Sequence, residues 1–208
     1  MKTMEKVVGA IVSQFRRPTG FGGRLAGFEM AIRTSNRRRN AWAVDLLDVR
    51  PTDHVLEIGF GPGVAIRELA NRATEGLVVG IDHSEVMVEA AKRRNIDGLR
   101  ANRIDLRLGS AEAVPSFDQP FDRILSVNSI MFWSEPEKRL EELRGLLRVG
   151  GVIAVVRQPR GPGSRTLSPE QVAAELTELL DAAGFAHIRT ERLDLKPPVV
   201  CALGVNAA

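Results

Sequence analysis

Two acids and three alternating glycines are the residues of this chain whose types and spacing could do chemistry together. Glu57 stands two residues before Gly59, and Gly61 and Gly63 follow at alternate positions. Glycines so spaced let a backbone turn sharply and approach a ligand where a Cβ would collide. Asp82 lies 19 residues beyond Gly63, about where a nucleoside-binding fold places a carboxylate to accept bonds from both ribose hydroxyls. An acid at Glu57 would repel a pyrophosphate and suits a ligand carrying ammonium and sulfonium charge. The loop also departs from two other glycine signatures. A dinucleotide loop wants a third glycine where Val64 stands, and a phosphate-binding P-loop wants a lysine that is absent. A dehydrogenase is therefore disfavoured.

The elements that must position these residues are legible as alternating strands and helices. His54-Val55-Leu56 leads through Glu57-Ile58 as a buried strand, and Ile66, Leu69, Ala70 and Ala73 recur at helical spacing after the glycines. The N–H groups that open that helix face whatever lies in the turn. Gly76 to Ile81 is a second buried strand ending in Asp82. Ser84 caps the next helix, with Glu85 in its first turn and Val86, Met87, Ala90 and Ala91 inward. Arg103 to Leu108 alternates as a third strand, which predicts Ile104, Leu106 and Leu108 on one face. Phe121 to Val127 is the fourth, followed by Asn128-Ser129-Ile130-Met131-Phe132-Trp133. Carboxyl strand ends beside a topological switch carry ligand chemistry in open α/β sheets, which brings Asn128 into the site. A helix over Pro136–Leu147, a turn at Arg148–Gly151 and a fifth strand over Val152–Val156 come next. Ser168-Pro169-Glu170-Gln171 is a capping box opening a helix that Gly184 stops. Two last strands, Ile188–Leu195 and Val199–Val205, are joined across Pro197-Pro198, a short connection that favours antiparallel pairing.

These segments, taken in order, resemble the class I S-adenosylmethionine (SAM)-dependent methyltransferases over residues 54 to about 206. Glu57-Ile58-Gly59-Phe60-Gly61-Pro62-Gly63 resembles their motif I, E/D-x-G-x-G-x-G. Asp82-His83-Ser84-Glu85-Val86-Met87 resembles D-x-S-x-x-M, and Phe121-Asp122 through Val127-Asn128 resembles F-D-x-I-x-x-V-N. Gly150-Gly151 matches the L-x-P-G-G signature except that Val149 replaces proline. Where many members read G-D-A-E-x-L-P, this chain has Gly109-Ser110-Ala111-Glu112-Ala113-Val114-Pro115. The nearest look is to the small-molecule branch around the quinone-biosynthesis C-methyltransferases. The resemblance implies an α/β, Rossmann-like fold: a seven-stranded, mostly parallel sheet in order 3-2-1-4-5-7-6. It implies a cofactor site of Glu57, Gly59, Gly61, Gly63, Asp82, His83, Met87, Ser110, Ala111 and Asn128. SAM is then the methyl donor and S-adenosylhomocysteine the product, with Asn128 near the transferred methyl group. His83 is the candidate base should the acceptor need to lose a proton, and Ser110 would bond the adenine amino group in place of an aspartate.

Size and charge bound the rest. The chain has 208 residues, enough for one well-buried α/β domain with an appendage. Its apolar content of 44% is that of an ordinary globular protein, and no apolar run approaches the ~20 residues of a membrane span. Cys201 is the single cysteine, which excludes a disulfide framework and a cysteine-rich zinc site. No metal is expected, no signal peptide is read, and the cytoplasm is the default compartment. Residues 1–50 hold ten Lys and Arg against four Asp and Glu, while the whole chain nets only +3. The plainer reading is a solvated arginine-rich helix surface; the sharper is a surface for an acidic substrate, a nucleic acid or an anionic membrane.

We divide the chain into an N-terminal helical appendage, 1–50, and a methyltransferase domain, 51–208. The appendage predicts a helix through Phe15, a Gly20/Gly22/Gly23 turn with Phe21 inside it, and helices over Leu25–Arg33 and Asn40–Leu47. Such a segment could close over the site as a lid, with a chain starting near Val49 still folded. Phe21, Trp42, Phe132 and Trp133 are candidate walls for a small-molecule acceptor. A homodimer is left open. Nucleic acid is disfavoured as acceptor because Asn128-Ser129-Ile130-Met131 lacks the D/N-P-P-Y/F motif. The rival readings are a nucleic-acid methyltransferase using the basic front and a SAM-binding protein that transfers nothing.

Overall fold

The computed structural model of the chain describes residues 34–159 and 167–207. The expected helix through Phe15, the glycine turn around Phe21 and the helix over Leu25–Arg33 lie outside the described residues.

The sheet has seven strands: β1 (His54–Ile58), β2 (Leu77–Asp82), β3 (Ile104–Leu108), β4 (Phe121–Val127), β5 (Leu147–Arg157), β6 (Ala186–Leu193) and β7 (Val199–Val205), in the expected order 3-2-1-4-5-7-6. The first five pair in parallel, and β7 runs antiparallel to both β5 and β6. Alternate residues of each strand point to opposite faces, so the sheet separates two apolar layers. Val55, Val78, Leu125 and Ala154 belong to one layer, with Ala65, Ile66 and Leu69 of α2 (Val64–Arg72) and Val88 and Ala91 of α3 (Glu85–Arg94). Leu56, Ile81, Ile124 and Ile153 belong to the other, under Leu140 and Leu143 of α5 (Pro136–Leu146) and Val172, Leu176 and Leu180 of α6 (Pro169–Ala182). A five-residue helix, α4 (Ile96–Arg100), precedes β3 and was not expected from the sequence. The capping box is present: Ser168 Oγ accepts from Gln171 N at 3.2 Å and Gln171 Oε1 from Ser168 N at 2.8 Å.

The first described helix, α1 (Thr34–Leu47), starts earlier than its apolar pattern suggests. Its buried stripe runs Asn36, Arg39, Asn40, Ala43, Val44 and Leu47, a helical period whose first half is polar. Apolar periodicity reports only the second half, which is why the sequence places the start at Asn40. Arg39, read from the sequence as part of a solvated arginine surface, is buried.

The far end of α1 is tied to the sheet. Arg123, at the start of β4, donates from Nε to Leu47 O at 2.9 Å and from Nη2 to Asp48 O at 3.2 Å. Carbonyls that end a helix need such donors. Ala43, Val44 and Leu47 sit in the same apolar layer as α2 and β7. The boundary drawn at residue 50 thus falls behind a helix that shares the core of the sheet. A chain beginning at Val49 would lose those side chains, each large one worth about 1.5–3 kcal/mol of burial. These contacts argue against the sequence-based expectation that it stays folded, and we expect it to lack a cooperative thermal transition. A sharp melting curve for that truncation would show α1 to be dispensable.

Three smaller differences have local causes. Leu108 lies on the face of Ile104 and Leu106 by strand alternation but is not buried with them: it is 54% exposed at the open end of an edge strand. The turn at Arg148–Gly151 is an irregularity inside β5, with Gly150 at φ 76° between the pairs made by Leu147 and Val152. The sixth strand begins at Ala186 rather than Ile188, in register with Val205.

Candidate active site

The parallel pairing brings the carboxyl ends of β1, β2, β4 and β5 to one edge, with β2 and β4 on either side of β1. That divergence point is where an open α/β sheet leaves a crevice. Glu57, Gly59, Gly61, Gly63 and Asp82 all lie there.

The three glycines of the loop have positive φ, at 76°, 54° and 72° for Gly59, Gly61 and Gly63, but they serve different needs. A Cβ on Gly59 would lie 2.4 Å from Ser129 Cβ, and one on Gly63 would lie 2.6 Å from Asn95 Nδ2. Those two glycines let other segments pack against the loop. Among the described residues, a Cβ on Gly61 would meet nothing within 4 Å. Of the three, Gly61 alone leaves room among the described residues for another group to come close.

Asp82 locks the loop to the second strand. Its Oδ2 accepts from Gly61 N at 2.8 Å and its Oδ1 from Ser84 N at 2.9 Å. A carboxylate has about four lone-pair sites, so two acceptor positions remain for hydroxyls of a ligand. Burial raises its pKa, against the lowering effect of the Ser84 and Gly61 amides and of His83. Glu57 is 1% exposed, and its Oε2 has no hydrogen-bond partner among the described residues. Burial, reinforced by the charge of Asp82, pushes Glu57 up to about 8, so the acid holds its proton at neutral pH. A buried acid with an unsatisfied oxygen, just before the glycine loop, can meet a cationic ligand by giving up that proton.

The other expected residues divide. Met87 is buried and belongs to neither apolar layer. His83 is exposed, with Nδ1 3.9 Å from Asp82 Oδ1, beyond hydrogen-bond range. Asn128 follows β4 with φ 55°, and its Oδ1 accepts from Gln158 N at 2.7 Å. Its side-chain oxygen therefore ties β4 to β5. Ser110 caps the short turn Ala111–Ala113, accepting from Glu112 N at 3.2 Å and donating to the Glu112 carboxylate. That bond, with one from the Ser134 amide, holds the Glu112 carboxyl below its usual range. Phe132 ends a short turn over Ile130–Phe132 and is half-buried, and Trp133 packs on the layer of α5 and α6. Trp42 packs on the opposite layer, so it does not share a wall with Trp133; its burial is that of a core-edge residue. Phe21 lies outside the described residues.

Over residues 55–151 the chain matches the family described as Methyltransferase domain. It is 30% identical over 185 residues to the uncharacterized methyltransferase YdaC of Bacillus subtilis, an alignment covering 88% of this chain and 99% of that protein. The chain belongs to the class I SAM-dependent methyltransferases. It is also 32% identical over 103 residues to demethylmenaquinone methyltransferase of Symbiobacterium thermophilum, covering 49% of this chain and 41% of that protein. A SAM-dependent methyltransferase from Aquifex aeolicus has a TM-score of 0.69 at 21% identity, with 88% of this chain and 98% of that chain covered. At that identity the likeness is one of fold.

Two features of this methyltransferase escaped the sequence. Gln158, 1% exposed, accepts from Arg39 Nη1 at 2.7 Å, donates from Nε2 to Pro197 O at 2.7 Å and donates its backbone N–H to Asn128. It joins α1, β4, β5 and the β6–β7 turn at one point. Ser129 Oγ donates to Ile58 O at 2.8 Å and lies 2.8 Å from Ser126 Oγ, filling the space against Gly59. A lone Gln or Ser in a loop carries no periodicity that marks it; only the pairing of β1 with β4 and of β4 with β5 brings such residues into place.

Proposed function

We propose that the chain binds SAM at the ends of β1 and β2 and moves its methyl group to a small-molecule acceptor lying beyond β4. The observation that carries this reading is the conjunction of Asp82, bonded to the Gly61 amide with acceptor positions to spare, and Glu57, buried with an unpartnered oxygen. Asp82 would take the ribose hydroxyls, Gly61 the close approach of the ligand, and Glu57 the side carrying ammonium and sulfonium charge. Met87 would line the adenine pocket.

When bound, SAM supplies an electrophilic methyl on a sulfonium, displaced in line by a nucleophile. The residues of the chain position, desolvate and orient; well-oriented reactants supply up to about 7–11 kcal/mol of barrier reduction. His83, exposed and at the rim, would act as base only for an acceptor that must lose a proton. Ser110 has its hydroxyl committed to Glu112, so an adenine contact there would rest on a lone pair of that oxygen. Phe132, Trp133 and the exposed Met131 offer apolar surface near the end of β4. The demethylmenaquinone methyltransferase among the relatives supports an aromatic ring as the acceptor.

Calorimetry with SAM and S-adenosylhomocysteine tests the cofactor assignment. Asp82→Ala removes the ribose acceptor and the bond to Gly61, and is expected to weaken both ligands at least tenfold, about 1.4 kcal/mol. Equal affinity in the variant would remove Asp82 from the site. A screen with labelled SAM over quinols, phenols, amines and lipids then identifies the acceptor, and transfer to nucleic acid alone would overturn the small-molecule assignment.

A further inference from the structure

We infer that Arg94 and Asn95, at the end of α3, are positioning residues for the glycine loop: they hold its Pro62 and Gly63 carbonyls on the far side, so that the amides opening α2 face the ligand. The inference rests on the reading of that loop as the cofactor's seat.

The loop does not orient itself. Gly63 is the N-cap of α2 with φ 72°, and as a glycine it has no side chain to cap that end. The carbonyls are held instead from another helix. Arg94 Nε donates to Pro62 O at 2.9 Å, and Asn95 Nδ2 donates to Gly63 O at 3.1 Å. In a planar trans peptide the carbonyl and the following N–H point in opposite directions. Holding Pro62 O and Gly63 O toward α3 therefore turns the Gly63 and Val64 N–H groups away from it. The Gly63 N–H closes the turn onto Phe60 O at 3.1 Å, and Val64 begins the row of amides at the helix start.

The holding residues are themselves held. Asn95 is 5% exposed, its backbone N–H donates to Ala91 O at 3.0 Å, and its Nδ2 also donates to Ala91 O at 2.8 Å. The contact is tight, since a Cβ on Gly63 would lie 2.7 Å from Ala91 Cβ as well as 2.6 Å from Asn95 Nδ2. Gly63 is thus the partner that this close approach requires. Lys92, Arg93 and Arg94 together suit the negative end of a helix dipole, and that is the ordinary role for basic residues there. Arg94 differs from its neighbours: Lys92 and Arg93 pair with Glu89, whereas among the described residues Arg94 has the Pro62 carbonyl and no carboxylate.

The test is calorimetric titration of the full chain with S-adenosylhomocysteine, well below each melting transition, for wild type, Arg94→Met, Arg94→Lys and Asn95→Asp. Hydrogen exchange is measured on the same ligand-free proteins. Arg94→Met and Asn95→Asp are expected to weaken the ligand about tenfold or more, with faster exchange confined to residues 59–66. Arg94→Lys, which keeps a donor, should bind within about threefold of wild type. Wild-type affinity and unchanged loop exchange in Arg94→Met would overturn the inference, as would exchange that rises equally across β1 and β4. A wild-type protein that does not bind S-adenosylhomocysteine would instead remove the cofactor reading. The exchange measurement would then still decide whether these residues hold the loop.

Discussion

Raising the pH from about 5 to about 8 is expected to lower the melting temperature of the ligand-free protein, and Glu57→Gln is expected to remove most of that slope. Glu57 is buried beside Asp82 and its folded pKa is raised from 4.5 to about 8. Below the unfolded value both states hold the proton, and its contribution to stability is fully present. Between the two values the unfolded chain ionises while the folded one does not, so stability falls as pH rises and the loss is complete above the folded value. The loss is on the order of a few kcal/mol, a sizeable share of the stability of a domain this size. Asp82 is shifted in the same direction and adds to the slope. Glu112 and Asp122 are shifted down, so what they contribute is lost only at lower pH, which leaves a maximum near the acid end of the window. Glu57→Gln should melt higher than wild type at pH 8 and bind SAM more weakly. A cationic ligand beside Glu57 favours its ionised form, so SAM binding near neutral pH should also release a proton, measurable from titrations in buffers of different ionisation enthalpy. A flat melting profile in wild type would mean that water or rearrangement relieves the buried acid.

Gly61→Val is expected to abolish S-adenosylhomocysteine binding, by a hundredfold or more, while the protein stays folded. The added Cβ meets no atom of the described residues within 4 Å, so its placement displaces none of them. A β-branched residue at φ 54° costs on the order of 1–3 kcal/mol of backbone strain, within what a domain tolerates. The cost to the ligand is larger, because the methyl groups occupy the space through which it would reach the Asp82 carboxylate. The contrast is Gly59→Val, whose Cβ would collide with Ser129 and which should lower the melting temperature before affecting any ligand. Unchanged affinity in a folded Gly61→Val protein would place the ligand elsewhere on the sheet edge.

What the sequence determined by itself was the part written in periodicity and local spacing. Buried strands at Val55, Val78 and Ile124, a helix after Gly63 and acids at strand ends are local signals, and the order of seven strands followed from the resemblance they carry. The cofactor-site acids were legible because a charged residue at the end of an apolar run stands out. The tertiary structure decided which contacts those residues make. It gave Asp82 to the Gly61 amide, Ser110 to Glu112, and the Asn128 oxygen to Gln158. It also separated three glycines that look alike in sequence, one facing open space and two facing Ser129 and Asn95. The helix at Thr34–Leu47 was half hidden because Asn36, Arg39 and Asn40 bury polar groups, whose burial depends on partners such as Gln158, 119 residues from Arg39. Hydrophobic patterning records which face is dry. Hydrogen bonds between buried polar groups depend on atoms brought within about 3 Å by the whole fold, and no local pattern encodes that distance.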